Sequence, residues 1–253
     1  MNNKLAVVLL TISFSALTHQ LDYADTPWIK RKPWYAEIFK GNVNEMSPLW
    51  ILQLYQMMKD THEVLISHDL FYWPTGGSLI GVMRHKGLIA WDDDIDIVLH
   101  IKDEKKLLSL KPVFEKLEYD IEPFIYGYKI FPKNGIPFPG YTFKCPFIDI
   151  FFSIQRGNKF YYDPKRNPGH RRGSEPIYIT AEELYPLNEY DFGEFKILGP
   201  NNPIPFLNAH YGSDWPHIAY KWNHFTNQHE KIVLTEEDKK SAQPTGPLEN
   251  RVS

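Results

Sequence analysis

Two short apolar runs of the chain each carry one acidic residue. Asp96 alternates with isoleucine and leucine in Ile95–Ile101, and Asp149 lies between two isoleucines in Phe147–Ile154. Runs of this length and pattern predict β-strands. A carboxylate inside an apolar strand is costly unless it is paired or bound to a metal. The two runs therefore predict neighbouring strands whose acids face a common site.

Further acids precede the first of these strands. Asp94 lies two residues before Asp96, so both side chains share one face, and Asp92 joins them if the strand begins early. Converging carboxylates repel each other unless a cation lies among them. Mg²⁺ suits such a site because it takes few carboxylates and completes its shell with water and phosphate oxygens. We predict that Asp92, Asp94, Asp96 and Asp149 bind Mg²⁺, with Mn²⁺ as an alternative.

The acidic run from 92 to 96 has two other interpretations. An EF-hand loop would use its first, third and fifth residues as calcium ligands, but it then requires glycine where this chain has Ile97. A solvated surface turn or strand edge is the second alternative. The apolar residues that follow and the second acid-bearing strand both favour the metal site.

A glycine-containing segment precedes the acids. The sequence predicts a short strand at Phe71–Trp73, a loop at Thr75–Ser78 and a helical segment at Leu79–Arg84. Glycines before a short helix let backbone N–H groups approach a phosphate. We therefore predict that Gly77 and Ser78 bind a phosphate group.

The remaining elements interleave helices with strands, which predicts an α+β fold: a single domain with a mixed sheet flanked by helices. They are a helix beginning at Ser47–Pro48, a mostly helical stretch at Lys102–Tyr119, a hairpin turning at Arg156–Asn158 into Lys159–Tyr162, a short helix capped by Thr180 and Glu183, a strand at Phe195–Leu198 and a helix at Ile204–Tyr211. The basic loop from Lys165 to Arg172 is either an anion clamp or a solvated mobile loop.

Composition limits the classes of protein. A length of 253 residues supports one sizeable core, and a net charge of -3 argues against a nucleic-acid groove, which needs a basic face. Cys145 is the single cysteine, so neither an intramolecular disulfide nor a cysteine-rich zinc site can form. We interpret it as a small buried apolar residue.

The chain divides into four predicted segments. Lys4 followed by the apolar run Leu5–Leu17 predicts a signal peptide or, less well, a short membrane anchor, with a buried first helix as the alternative. Such a start predicts the secretory pathway, as a Golgi lumen or membrane protein in a eukaryote, or a membrane-associated or exported protein in a bacterium. The segments are a leader at 1–20, an irregular lead-in at 21–46, the domain at 47–233 and a disordered tail at 234–253.

Several motifs together resemble one family. The pair Gly77-Ser78 and the runs Leu79–His85 and Trp91–Asp96 are similar to the signature of the LicD/fukutin-type phosphotransferases, within the nucleotidyltransferase superfamily. The similarity continues through Tyr185–Leu187 and Tyr211–Trp215 and covers roughly Ser47 to Trp222.

The resemblance implies a reaction and roles for residues. It implies a metal-dependent transfer of a phospho-alcohol from a CDP-activated donor, such as CDP-choline or CDP-ribitol, to a glycan or glycoconjugate hydroxyl, with release of CMP. Asp94 and Asp96 match the paired metal ligands and Asp149 the third acid, so these three are the expected catalytic residues. Arg84 is a candidate phosphate contact, with an exposed salt bridge as the alternative. Two other functions stay open: a nucleotidyltransferase that releases pyrophosphate, and a non-catalytic module that binds nucleotide or divalent ions.

Overall fold

The computed structural model describes residues 48–138, 140–169, 171–172, 175–223, 228–243 and 248. The predicted leader at 1–20 and lead-in at 21–46 lie outside these residues. Within the described ranges, no helix combines the length and the apolar character needed to cross a bilayer.

Helices and strands interleave in the first part of the described chain, and a long run of strands follows. In order, the strands are β1 (Tyr72–Pro74), β2 (Ile95–His100), β3 (Tyr119–Phe124), β4 (Gly127–Pro132), β5 (Ile136–Pro137), β6 (Lys144–Cys145), β7 (Ile148–Arg156), β8 (Lys159–Tyr162), β9 (Arg171–Arg172), β10 (Glu175–Pro176), β11 (Tyr178–Thr180), β12 (Asn188–Phe192), β13 (Phe195–Gly199), β14 (Ile218–Asn223) and β15 (Gln228–Val233). The helices are α1 (Pro48–Ser67), α2 (Gly76–Ile80), α3 (Glu104–Ser109), α4 (Lys111–Lys116), α5 (Ala181–Leu184) and α6 (Ile204–Tyr211). A π-helical turn, Gly81–His85, continues α2, and a 3₁₀ turn, Ile101–Asp103, precedes α3.

The central sheet is mixed, and the predicted α+β fold is confirmed. Its strand order is β1-β2-β7-β4-β3, and β8 pairs with β7 and with β11. Strands β2 and β7 run parallel, with Ile95 opposite Ile148, and the other pairs in this sheet are antiparallel. The expectation that the two acid-bearing strands are neighbours is thereby confirmed.

Each face of β2 packs against a different apolar cluster. Ile95, Ile97 and Leu99 are buried in the larger cluster, which includes the apolar face of α1. Val98, on the opposite face, is buried in a smaller cluster with Trp73 of β1 and Phe206 of α6. Because successive side chains of a strand point to opposite faces, Asp96 lies on the face of the smaller cluster.

Several predicted local features are confirmed. Helix α1 begins at Pro48, and the hairpin between β7 and β8 turns at Gly157, which has a φ of +61°. Thr180 and Glu183 form a reciprocal capping box at the start of α5, and α6 ends at Tyr211 before Gly212.

Two predictions of local structure are wrong. The segment Thr75–Ser78 is not a loop, because α2 begins at Gly76 and its first turn is closed by a 3.1 Å hydrogen bond from the Leu79 amide to the Thr75 carbonyl. The helical prediction for Lys102–Tyr119 extends too far, because Tyr119 begins β3. The sequence interpretation also did not assign the β3–β4 hairpin.

The predicted disordered tail is partly ordered. The Ala242 amide donates to the Leu88 carbonyl at 3.0 Å, and the Tyr55 hydroxyl donates to the Ala242 carbonyl at 2.7 Å. Ala242 itself is buried in the larger cluster. The disorder predicted for 234–253 does not hold at Ala242, whose backbone accepts one hydrogen bond from a side chain of the domain and donates one to its backbone.

Candidate active site

The acidic residues converge where β2 and β7 begin. Asp96 and Asp149 are the second residues of their strands and lie directly opposite each other in the parallel pairing. Asp94 precedes β2 by one residue. The three side chains each offer a carboxylate oxygen within 4.8 Å of the others, and Asp92, Asp93 and Asp94 form an overlapping second group. We call Asp94, Asp96 and Asp149 the acid triad.

Burial and mutual repulsion disfavour the charged forms of these acids. Burial, followed by the neighbouring carboxylates, raises the pKa of Asp94 and of Asp96 well above the usual value. Burial, assisted by Asp93, raises the pKa of Asp92 to about 7, while Arg84 opposes the rise. A divalent cation would offset both the cost of burying these charges and the repulsion between them. This set of oxygen donors therefore fits Mg²⁺ or Mn²⁺. Metal binding by these residues stays a prediction.

The two glycines of α2 make room for the acids. A Cβ atom on Gly76 would lie 2.7 Å from Oδ2 of Asp96, and one on Gly77 would collide with Oδ2 of Asp92. Gly76 also has a φ of +58°, in the region where side chains are strained. The sequence interpretation assigned Gly77 to phosphate; in the structure both glycines allow carboxylates to approach the backbone.

Ser78 fixes the start of β2. Its buried hydroxyl accepts a 2.8 Å hydrogen bond from the Asp96 amide, and the Thr75 amide donates to the Asp96 carbonyl at 3.0 Å. Both backbone groups of Asp96 are therefore held by the segment that begins α2. Ser78 thus contacts the backbone of one residue of the triad, and its contact with donor phosphate stays a prediction.

Arg84 is anchored by backbone carbonyls. One guanidinium nitrogen donates to the carbonyls of Trp215 at 2.6 Å and Ile218 at 3.1 Å, and Nε donates to Nε2 of His85 at 2.9 Å. Burial lowers the pKa of Arg84 to about 10, and Asp92 opposes this effect. The alternative of an exposed salt bridge is wrong, because the group is partly buried and joins the π-helical turn to residues 215–218. Its contact with phosphate stays a prediction.

Two further sequence-based interpretations concern residues outside the triad. Cys145 is buried, as predicted, and burial raises the pKa of its thiol to about 12. In the basic loop, Arg166 forms ion pairs with Glu104 at 2.7 Å and Asp163 at 3.7 Å. Arg166 thus holds its loop against α3 rather than extending into solvent.

The structure adds Lys129 to the site, which the sequence interpretation missed. Lys129 lies on β4 directly opposite Asp149, and its Nζ atom donates to Oδ1 of Asp149 at 2.5 Å. Only 3% of the Lys129 side chain is exposed. A signal was available, because a lysine flanked by Tyr128 and Ile130 is costly to bury without an acidic partner. Recognising it required the assignment of β4, for which the turn at Ile125-Tyr126 has no typical hairpin sequence.

Comparison with known proteins identifies the class of this domain as a nucleotidyltransferase domain and also identifies its family. Residues 69–202 match the model of the LicD/FKTN/FKRP nucleotidyltransferase domain, which is more than half of the chain. An uncharacterized protein of Rickettsia prowazekii is 36% identical over 211 residues, which are 80% of this chain and 73% of that protein. The chain therefore belongs to the LicD/FKTN/FKRP family.

Two named relatives match shorter parts. The lipopolysaccharide cholinephosphotransferase LicD of Haemophilus influenzae is 49% identical over 49 residues, covering 19% of this chain and 18% of that protein. The ribitol 5-phosphate transferase FKRP of Mus musculus is 25% identical over 156 residues, covering 59% of this chain and 29% of that protein. The chain thus spans less than a third of each of these two relatives.

Proposed function

We propose that this protein transfers a phospho-alcohol, of the choline phosphate or ribitol phosphate type, from a CDP-activated donor to a glycan hydroxyl and releases CMP. The observation that carries the proposal is the acid triad, in which three carboxylates at the beginnings of two parallel strands converge within 4.8 Å. The named relatives transfer choline phosphate and ribitol 5-phosphate, which supports a phospho-alcohol as the transferred group.

We assign roles to the residues of the site from their positions. Asp94, Asp96 and Asp149 hold the divalent cation, and Asp92 extends this acidic surface toward Gly77. The cation, when bound, neutralises the diphosphate of the donor. Gly77, Ser78 and Arg84 lie on the α2 side of the triad, and we assign the donor phosphates to that side.

The chemical step transfers the phosphate that carries the alcohol from CMP to the acceptor hydroxyl. The acceptor hydroxyl oxygen forms a bond to the phosphorus that carries the alcohol, and the bond from that phosphorus to the bridging oxygen breaks, so that CMP leaves. Asp149 accepts the proton of the hydroxyl. Burial raises the pKa of Asp149, against the opposing effect of Lys129, and a carboxylate with a raised pKa is a better general base.

The test uses the full chain with CDP-choline and CDP-ribitol, with Mg²⁺ or with a chelator, and identifies the released product. We expect CMP release that depends on the metal and falls at least about 100-fold in Asp94→Asn, because a metal ligand is lost. Asp191→Asn, an exposed acid on β12, is the matched control and should behave as wild type. Pyrophosphate release from CTP would replace the proposal with a nucleotidyltransferase. Nucleotide binding without turnover would indicate a binding module.

The predicted leader at 1–20 bears on where this reaction takes place. We propose that it brings the enzyme to a membrane or into an exported compartment, near glycan acceptors. Fractionation of cells that express the full chain and a version without residues 1–20 tests this, and an identical distribution of the two would contradict it.

A further inference from the structure

The ammonium of Lys129 contacts three aromatic rings and one carboxylate. Its ammonium lies 3.3 Å from the ring centroid of Phe147, 4.2 Å from that of Phe124 and 4.9 Å from that of Phe143. Ring faces attract cations, and the attraction is stronger where water is excluded. The ammonium also donates to Oδ1 of Asp149. A side chain that is ordinarily flexible is therefore fixed in one position.

The strand register places Lys129 and the triad in one row. Asp96 on β2 lies opposite Asp149 on β7, and Asp149 lies opposite Lys129 on β4. The carboxylate of Asp149 is thus flanked by an acid on one side and by a caged cation on the other. Oδ1 is engaged by the lysine, which leaves Oδ2 as the other oxygen of this carboxylate.

Resting on the proposed function, we propose that Lys129 is a positioning residue, which holds Oδ1 of Asp149 so that Oδ2 alone is presented to the cation and the acceptor hydroxyl. Lys129 itself touches neither. Residues that orient a metal ligand through its second atom commonly change metal affinity or activity by about 10- to 100-fold when they are replaced. Lysine suits the position because its ammonium is compact enough for the space between the rings, whereas a planar guanidinium is larger.

If Lys129 acted only through its charge, its replacement would change the metal affinity in the opposite direction. Removing a positive charge next to three carboxylates makes the site more negative and strengthens cation binding. Removing an orienting group frees the Asp149 carboxylate to rotate and weakens cation binding. Lys129 also lowers the pKa of Asp149, so the titration is made at two pH values, and a loss of metal affinity that persists at the higher pH separates positioning from simple charge compensation.

The experiment is calorimetric titration of Mn²⁺ into the full chain, wild type and Lys129→Met, together with steady-state kinetics with a CDP-alcohol. Methionine keeps the length of the stem and tolerates contact with rings. We expect an about 10- to 100-fold weaker Kd for Mn²⁺, a similar fall in kcat, and a donor KM within about threefold of wild type. Lys159→Met is the matched control, since Lys159 lies 3.9 Å over the ring of Tyr178 on the β8–β11 pair, and it should leave the Kd unchanged.

A second comparison guards against a folding defect in Lys129→Met. If Lys129 acts through Asp149, the double variant Lys129→Met with Asp149→Asn binds Mn²⁺ as weakly as Asp149→Asn alone. An additional loss in the double variant would overturn the inference, as would a Kd in Lys129→Met that is equal to or tighter than wild type, or a wild type that binds no Mn²⁺. Weakened Mn²⁺ binding in Lys129→Met together with no turnover of any CDP-alcohol by wild type would uphold the inference and refute the proposed function.

Discussion

Gly76 offers a way to displace one acid of the triad without removing any carboxylate. Its φ is +58°, and a Cβ added there would lie only 2.7 Å from Oδ2 of Asp96, so Gly76→Ala is both strained and crowded. Gly157 in the β7–β8 turn has a φ of +61°, and a Cβ there meets nothing within 4 Å. Gly157→Ala therefore carries the same backbone strain without the collision and is the matched control.

The size of the displacement follows from these distances. To move from 2.7 Å to the 3.4 Å at which ordinary van der Waals contact begins, Oδ2 of Asp96 must shift by about 0.7 Å. A misplacement of about 1 Å in a catalytic group can lower the rate by about 100-fold, and Mg²⁺ tolerates little deviation in ligand distance. We expect Gly76→Ala to weaken Mn²⁺ binding and to slow transfer by at least about 10-fold.

The two substitutions should lower the stability of the fold by similar amounts, although only Gly76→Ala should weaken metal binding. Both substitutions place a side chain at positive φ, so each should lower the free energy of unfolding by roughly 1–2 kcal/mol. Urea unfolding measures this effect, and calorimetry with Mn²⁺ measures the change at the site. Equal Mn²⁺ affinity in Gly76→Ala and Gly157→Ala would refute the reasoning, because it would mean that Asp96 adjusts without consequence for the site.

Two other predictions concern the contacts that support this region. Burial, and after it the charge of Arg84, lowers the pKa of His85 to about 4. The contribution of His85 to the free energy of unfolding is therefore fully present above the pKa of the unfolded chain, near 6.5, and is lost as the pH drops from 6.5 toward 4. The full shift corresponds to about 3 kcal/mol, which solvent screening reduces to roughly 1–2 kcal/mol; in His85→Gln this part of the pH dependence of unfolding should disappear, and an unchanged profile would contradict the assignment. Tyr55→Phe removes the acceptor of the Leu88 amide and the donor to the Ala242 carbonyl, and urea unfolding should show a loss of about 1–3 kcal/mol, whereas a loss near zero would show that the tail adds no stability there.

The acids of the site could be predicted because they are charged residues within apolar segments of the sequence. Asp96 and Asp149 interrupt apolar strands, and such an interruption is visible in a single sequence. Local rules likewise identified α1 through its apolar periodicity and α5 through its capping box. In each case the physical cause lies within a few residues of the effect.

The rest of the site depends on contacts between distant segments. Lys129 becomes meaningful only once β4 is known to lie beside β7, and β3 was difficult to recognise because it carries Glu122 and Pro123. The role of Gly77 was assigned from local backbone freedom, whereas its neighbour in the structure is the carboxylate of Asp92. Sequence patterns do not contain these tertiary neighbours.

The position of β7 between β4 and β2 sets the order in which its acid meets its neighbours during folding. Lys129 lies 20 positions before Asp149, whereas Asp96 lies 53 positions before it. Closing the shorter loop costs about 0.9 kcal/mol less entropy at 25 °C, and antiparallel pairing of β4 with β7 does not wait for a crossover. We therefore expect the Lys129 ammonium to reach Asp149 before β2 does, so that the like charges of β2 arrive at a carboxylate that is already compensated.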